Sequence, residues 1–191
     1  LGVTGDSAGI VIGHVSSFAD IYRGDHYETL PQIHIDAVLE VKPPRGGEII
    51  FDKIRRIFYA LKQYGMNLRW ITFDSFQSVD SIQLLRQAGF VSDKMSMDKT
   101  IDAYEFTKSA IYDGRLKFPP HGKLQRELAS LEMDTKKHKI DHPPGGSKDC
   151  SDALAGVVYG LTMRREIWGL FGVSIMNIPA SVKTVIDKKK P

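Results

Sequence analysis

The feature that most constrains this chain is a change of hydrophobic period around residue 43. Over residues 32–41, Ile33, Ile35, Ala37, Leu39 and Val41 alternate with His34, Asp36, Val38 and Glu40. That is the period-2 signature of a strand with one buried face. Pro43-Pro44-Arg45-Gly46-Gly47 breaks the pattern. Over residues 48–64 the spacing becomes helical, with Ile50, Ile54, Ile57, Phe58 and Leu61 in one stripe. Gly65 suits the C-terminal cap. Leu68-Arg69-Trp70-Ile71-Thr72-Phe73 then reads as a short buried strand, ending at Asp74. Strand, helix, short link and strand imply a crossover back into a sheet with parallel pairing. The fold class is therefore α/β.

The flanking segments fit that class. Residues 1–15 read as a strand, a turn at Gly5-Asp6-Ser7 and an apolar strand over residues 9–15. Residues 18–30 read as a loop or hairpin edge, so the first strands form an antiparallel meander. Downstream, the pattern predicts a helix over residues 78–88 closed by Gly89, a strand over 91–97, and a helix capped by Asp98. A short strand over 115–118 and an amphipathic helix over 122–133 follow. Residues 135–142 have the composition of a β-hairpin. After the turn Pro143-Pro144-Gly145-Gly146, an apolar helix runs to Met163. Residues 164–191 read as a packed extension or an interface arm with a lysine-rich end.

The chain has 191 residues, 42% of them hydrophobic, which suits one compact domain with its core in residues 1–163. A single cysteine, Cys150, excludes an internal disulfide. No apolar run reaches the roughly 18 residues of a membrane span. Nor is there a basic-then-apolar signal sequence at the start. The abrupt beginning inside a strand gives the expectation of a segment from a longer protein. A net charge of +3 favours a polyanionic partner only weakly.

Several chemistries are excluded. The chain lacks the phosphate-loop spacing, because Gly145-Gly146-Ser147-Lys148 has neither the intervening residues nor the following Ser/Thr. One cysteine makes no zinc pattern with the histidines. Acids beside Cys150 raise its pKa, which argues against a nucleophile. What remains is a set of carboxylates on different elements: Asp6 after the first strand, Asp74 after the crossover strand, and Asp149 with Asp152 at the start of the late helix. Such oxygens suit hard divalent ions, and two ions about 4 Å apart support phosphodiester cleavage. Each acid also has a plainer reading. Asp6 suits a turn, and Asp74 suits a turn or the cap of the next helix. His34 and Asp36 fall on the polar face of their strand, where a solvated face is the simpler reading.

Three motifs together resemble the C-terminal nuclease domain of the large subunit of tailed-phage terminases. They are Leu1-Gly2-Val3-Thr4-Gly5-Asp6-Ser7-Ala8-Gly9, then Trp70-Ile71-Thr72-Phe73-Asp74-Ser75 with Gly89-Phe90, then Asp141-His142-Pro143 with Gly146-Ser147-Lys148-Asp149 and Asp152-Ala153-Leu154-Ala155-Gly156. They span about residues 1–160 in family order.

The resemblance implies a ribonuclease H-like fold: a mixed five-stranded sheet, antiparallel in its first three strands and then parallel, with helices on both faces. It implies a Mg²⁺- or Mn²⁺-dependent endonuclease, with two ions, that cuts concatemeric viral DNA at the start and end of packaging with little sequence specificity. By motif position Asp74 and Asp149 are metal ligands, with Asp6 and Asp152 as auxiliary acids near the ions. The family's first catalytic aspartate falls immediately before Leu1, outside this chain, as does the family's ATPase domain.

Lys148, Lys136, Lys137, Lys139 and His142 are candidate DNA contacts, although Lys148 reads nearly as well as an exposed helix-start lysine. The implied partners are double-stranded DNA, the terminase small subunit, the portal protein and the upstream ATPase domain, with no membrane. The implied location is the host bacterial cytoplasm, at the procapsid portal. Other ribonuclease H-like nucleases, of resolvase or transposase type, and a docking module with little activity of its own are the alternatives.

Overall fold

The computed structural model describes residues 7–74, 78–97, 101–135 and 138–187. Its centre is a long antiparallel hairpin. Strand β1 (Ala8–Tyr22) pairs with β2 (Tyr27–Val41) from Ala8 opposite Val41 to Tyr22 opposite Tyr27. Two register shifts interrupt the ladder. Ile12 faces Ala37 while Gly13 faces Ile35, so Asp36 is an extra residue on β2. Val15 faces Ile33 while Ser17 faces Gln32, so Ser16 is extra on β1. The strand continues through residues 18–22, in the segment that reads as a loop or hairpin edge. Backbone pairing with β2 and tertiary packing make it the hairpin. The Phe18 ring lies 4.8 Å from Trp168 and 5.4 Å from Phe171, both supplied by the C-terminal segment. Arg23 in the hairpin turn is anchored by two 2.9 Å hydrogen bonds to Asp113.

Helices cover both faces of this hairpin. On one face Val15, Ile33 and Ile35 pack against Cys150, Leu154 and Val158 of α5 (Asp149–Met163). On the other, Ala8 and Ile10 join Ile54 and Phe58 of α1 (Phe51–Gln63) and Leu85 of α2 (Val79–Gln87). Ile50 sits before α1 rather than in its stripe and is exposed, so the fully buried side chains of that face are Ile54 and Phe58. Gly65, just past the C-cap Tyr64, has φ +87°, a conformation glycine adopts without strain.

Strand β3 (Trp70–Phe73) pairs in parallel with β4 (Val91–Lys94). After α3 (Asp102–Tyr112), β5 (Leu116–Lys117) adds to the hairpin in parallel through Ile33 opposite Leu116. The architecture is α/β with antiparallel and parallel pairing, as the sequence predicts. The expected continuous five-stranded sheet, however, is divided among the described residues. One ladder runs β1-β2-β5, the pair β3-β4 stands apart, and no backbone ladder joins β1 to β3. The strand expected ahead of the first turn and the Asp98 cap lie outside the described residues.

Helix α4 (Gly122–Ser130) stops short of the expected residue 133, because Glu132–Asp134 form β6 and pair antiparallel with β7 (Lys139–Asp141). The predicted hairpin is present, shifted toward the N-terminus. The C-terminal segment is a packed extension. It comprises α6 (Arg165–Leu170), a 3-10 turn (Ile175–Asn177) and α7 (Ala180–Asp187). Trp168 and Val182 are fully buried there beside Leu30, and the indole N–H of Trp168 donates to the Thr162 carbonyl at 2.9 Å. Among the described residues, no helix is long and apolar enough to cross a membrane.

Candidate functional site

A cavity of about 490 Å³ separates β1 from β3. Residues 8–15 of β1 and 67–74 through β3 line it consecutively, so it meets both strands edge-on. Asp74, Asp149 and Asp152 also line it. Asp74 is there because β3 ends at Phe73, and the other two because they occupy the first turn of α5. The three acids singled out from the sequence are therefore brought to one cavity by a strand end and a helix start. Asp6 lies outside the described residues.

Each acid is held differently. Asp74 Oδ1 accepts the Met97 backbone N–H at 2.8 Å, which ties the end of β3 to the chain leaving β4. Asp149 Oδ2 accepts the Ser7 hydroxyl at 2.6 Å and lies 3.5 Å from Lys123 Nζ. Strand β1 approaches this turn so closely that a Cβ on Gly9 would sit 2.1 Å from the Asp149 carbonyl oxygen. Only glycine fits there, and its absent side chain sets the height of α5 over the strand.

Asp152 is mostly buried. It accepts a short hydrogen bond from the Tyr104 hydroxyl and lies 3.3 Å from Lys148 Nζ. Burial pushes its pKa up to about 6. Tyr104 and Lys148 oppose that shift, and the nearby charge of Asp74 adds to it. A carboxyl so raised is a site under electrostatic tension that a cation would relieve.

A second set of residues supports Asp149, and the sequence did not single it out. Lys123 Nζ on α4 donates to Ser7 Oγ at 2.5 Å and to Glu40 Oε1 at 2.8 Å, and lies 3.6 Å from Glu127 Oε1. Burial works against the Lys123 charge. The Glu40 hydrogen bond and the charges of Asp149 and Glu127 outweigh it and hold the pKa above the usual lysine value. The same bond holds the Glu40 carboxyl below its usual range. Glu127 is buried and accepts the Ser147 hydroxyl at 2.7 Å and the Ser151 backbone N–H at 2.8 Å. It thereby caps α5 from outside, since Lys148 at the cap position gives no side-chain bond. Glu40 is far in sequence from Lys123 and Glu127. The i, i+4 spacing of Lys123 and Glu127 on one helix face was the only local hint.

The thiol of Cys150 is buried, and burial followed by the Glu127 charge pushes its pKa up to about 11, in line with a structural role. The candidate DNA contacts are largely occupied. Lys148 is paired with Asp152, and its side chain is only 12% exposed, so it is not the exposed helix-start lysine of the alternative reading. Lys139 lies 3.2 Å from Asp141. His142 donates its backbone N–H to Asp141 and pairs through Nδ1 with the Pro143 carbonyl at 2.9 Å. Lys136 and Lys137 lie outside the described residues.

The donor set of Asp74, Asp149 and Asp152 is all carboxylate oxygen, contributed by two elements facing one cavity. By donor type it suits a hard divalent ion better than a soft one, but its three carboxylates share a cavity wall rather than one tight cluster: among the described residues, the group of three with ligand atoms within 4.8 Å of one another is His14, His34 and Asp36. Comparison with known proteins found no matching family model, no matching curated protein and no matching solved structure.

Proposed function

We propose that this chain is a divalent-metal-dependent DNA endonuclease of the terminase large-subunit type, with a ribonuclease H-like fold. The observation that carries the reading is the convergence of Asp74 with Asp149 and Asp152 on one cavity, from motifs far apart in sequence. The order of elements supports it as well: an antiparallel hairpin, a crossover helix, a parallel pair, and a late helix that carries acids in its first turn. The single five-stranded sheet of that fold belongs to the same proposal.

Mg²⁺ or Mn²⁺ at these carboxylates would supply positive charge at the scissile phosphate and an activated water for hydrolysis. The chain's own residues do the positioning. The Met97 amide fixes one oxygen of Asp74 at the cavity wall. Ser7 and Lys123 orient Asp149 while neutralising part of the acid cluster. Tyr104 and Lys148 hold Asp152 beside Asp74. Indifference to sequence would follow from contacts to backbone phosphates rather than base edges. The small subunit, the portal, an upstream ATPase domain and action in the host cytoplasm are parts of this proposal.

The test is cleavage of supercoiled plasmid in Mg²⁺ or Mn²⁺ by a polypeptide that supplies an aspartate ahead of Leu1. The expected result is nicking and linearisation by the parent, lost in Asp74→Ala and in Asp149→Ala. Equal cutting by both variants and the parent would overturn the assignment. Preference for branched DNA or strand joining would redirect it to a resolvase or transposase. Portal binding with no metal uptake would redirect it to a docking module.

A further inference from the structure

On the β1–β2 hairpin the exposed His14 and His34 stand directly opposite each other, and Asp36 lies beside both. His14 Nδ1 is 2.9 Å from Asp36 Oδ2, His34 Nδ1 is 3.9 Å from Asp36 Oδ1, and the imidazoles meet edge to face at 5.5 Å. One donor atom from each of the three lies within 4.8 Å of the others. The two register shifts bracket this pair. One of them makes Asp36 itself the extra residue, which turns its carboxylate toward the two rings.

We propose that His14, His34 and Asp36 form a binding site for one divalent transition-metal ion, such as Zn²⁺, with solvent completing the shell. Two imidazoles and one carboxylate are a donor set that suits zinc and related ions and disfavours Mg²⁺. Tetrahedral zinc with bonds of about 2.1 Å places its ligand atoms about 3.4 Å apart. The widest separation here must therefore close by a little over 1 Å. Rotation of side chains about half exposed, 52% for His14 and 51% for His34, provides that. Lys117, opposite His34 on β5, is the neighbouring cation, and its side chain is exposed to solvent. The site is distinct from the acid cluster. His14 lines the same cavity as the acids, but it is five residues along β1 from Gly9, which abuts Asp149, or about 16 Å in an extended strand, and the donors of its site are mainly nitrogen.

The experiment is titration of the metal-free protein with Zn²⁺ by calorimetry and with Co²⁺ by visible absorption. In the parent and in the Asp74→Asn, Asp149→Asn background alike, the expected result is one nitrogen-ligated ion per chain, seen as a cobalt spectrum of nitrogen and oxygen ligation. His14→Ala and His34→Ala each lower the affinity at least about tenfold, and the double variant abolishes the site. Asp74→Asn with Asp149→Asn leaves it unchanged. Because both histidines are exposed, the variants keep the parent's circular dichroism and melting profile without metal. Failure of the parent to take up one Zn²⁺ overturns the proposal. So does uptake with a nitrogen-ligated cobalt spectrum that survives in the double variant, which would place the ion on other histidines.

Discussion

Replacing Lys123 by methionine removes the cation shared by Glu40, Glu127 and Asp149 while keeping most of its apolar stem. At an effective dielectric of 20, the gross attraction is about 6 kcal/mol for Glu40 at 2.8 Å and about 5 kcal/mol for Asp149 at 3.5 Å. Most of that is offset by the cost of desolvating the charges. Breaking a buried pair costs about 3–5 kcal/mol, and the 17% and 19% exposure of Lys123 and Glu40 lets water recover part of it. The expected net loss is roughly 2–3 kcal/mol at pH 7, or about 4–12 °C in Tm for a chain of this size.

The pH dependence has a defined sign. The depressed Glu40 pKa contributes stability that is present above its unfolded value, near 4.3, and lost as pH falls through the folded value. The raised Lys123 pKa contributes stability that is present below its unfolded value, near 10.4, and lost as pH rises through the folded one. The gap between parent and variant is therefore widest from about pH 5 to 10. Urea melts followed by circular dichroism, with Glu40→Gln and the double variant completing a cycle, measure it. A Lys123→Met protein within about 0.5 kcal/mol of the parent at pH 7, or a gap that persists undiminished at pH 3, would refute the reasoning.

Three further outcomes follow from the site. Gly9→Ala places a methyl 2.1 Å from the Asp149 carbonyl oxygen, which is backbone and cannot rotate away, so urea melts should show a loss of about 1–3 kcal/mol and plasmid cutting should fall with it. The pKa of Asp152, raised to about 6, contributes stability that is complete below the unfolded value near 3.9 and lost as pH rises through 6. In chelator, melts from pH 4 to 7 should thus show Asp152→Asn gaining about 2–3 kcal/mol relative to the parent, and parallel curves would contradict this. Cys150 should resist thiol reagents in the native state and react only on unfolding, and rapid labelling at pH 7 would show the helix start to be open.

Much of this arrangement is legible from local pattern, and the rest depends on contacts no local pattern carries. The alternation over residues 32–41, Gly65 and Gly89 marked element type and ends, because period and left-handed caps are local properties. The start of α5 was legible from the Pro/Gly turn before it. Residues 18–30 read as a loop or hairpin edge because they mix polar and aromatic side chains, and the hairpin reading is the one that holds, with its strands fixed by mutual pairing and by Phe171 and Trp168 from the far end of the chain. Asp74 and Asp149 were found because motifs mark them. Glu40, Lys123 and Glu127 were not, since an acid at a strand end and a salt pair on a helix look like solvated surface until folding stacks them under α5. Lys148 reads from sequence as a phosphate contact or, nearly as well, an exposed helix-start lysine, because its partner Asp152 becomes mostly buried only when Tyr104 of α3 closes over it.

The most direct test of the central claim is a crystal soaked in Mn²⁺ and measured at the manganese absorption edge. The account expects an anomalous peak bonded to Asp74 and Asp149, with Asp152 beside it, that disappears in Asp149→Asn crystals. Full soaking with no peak between those two carboxylates, or a peak that persists without Asp149, would contradict it.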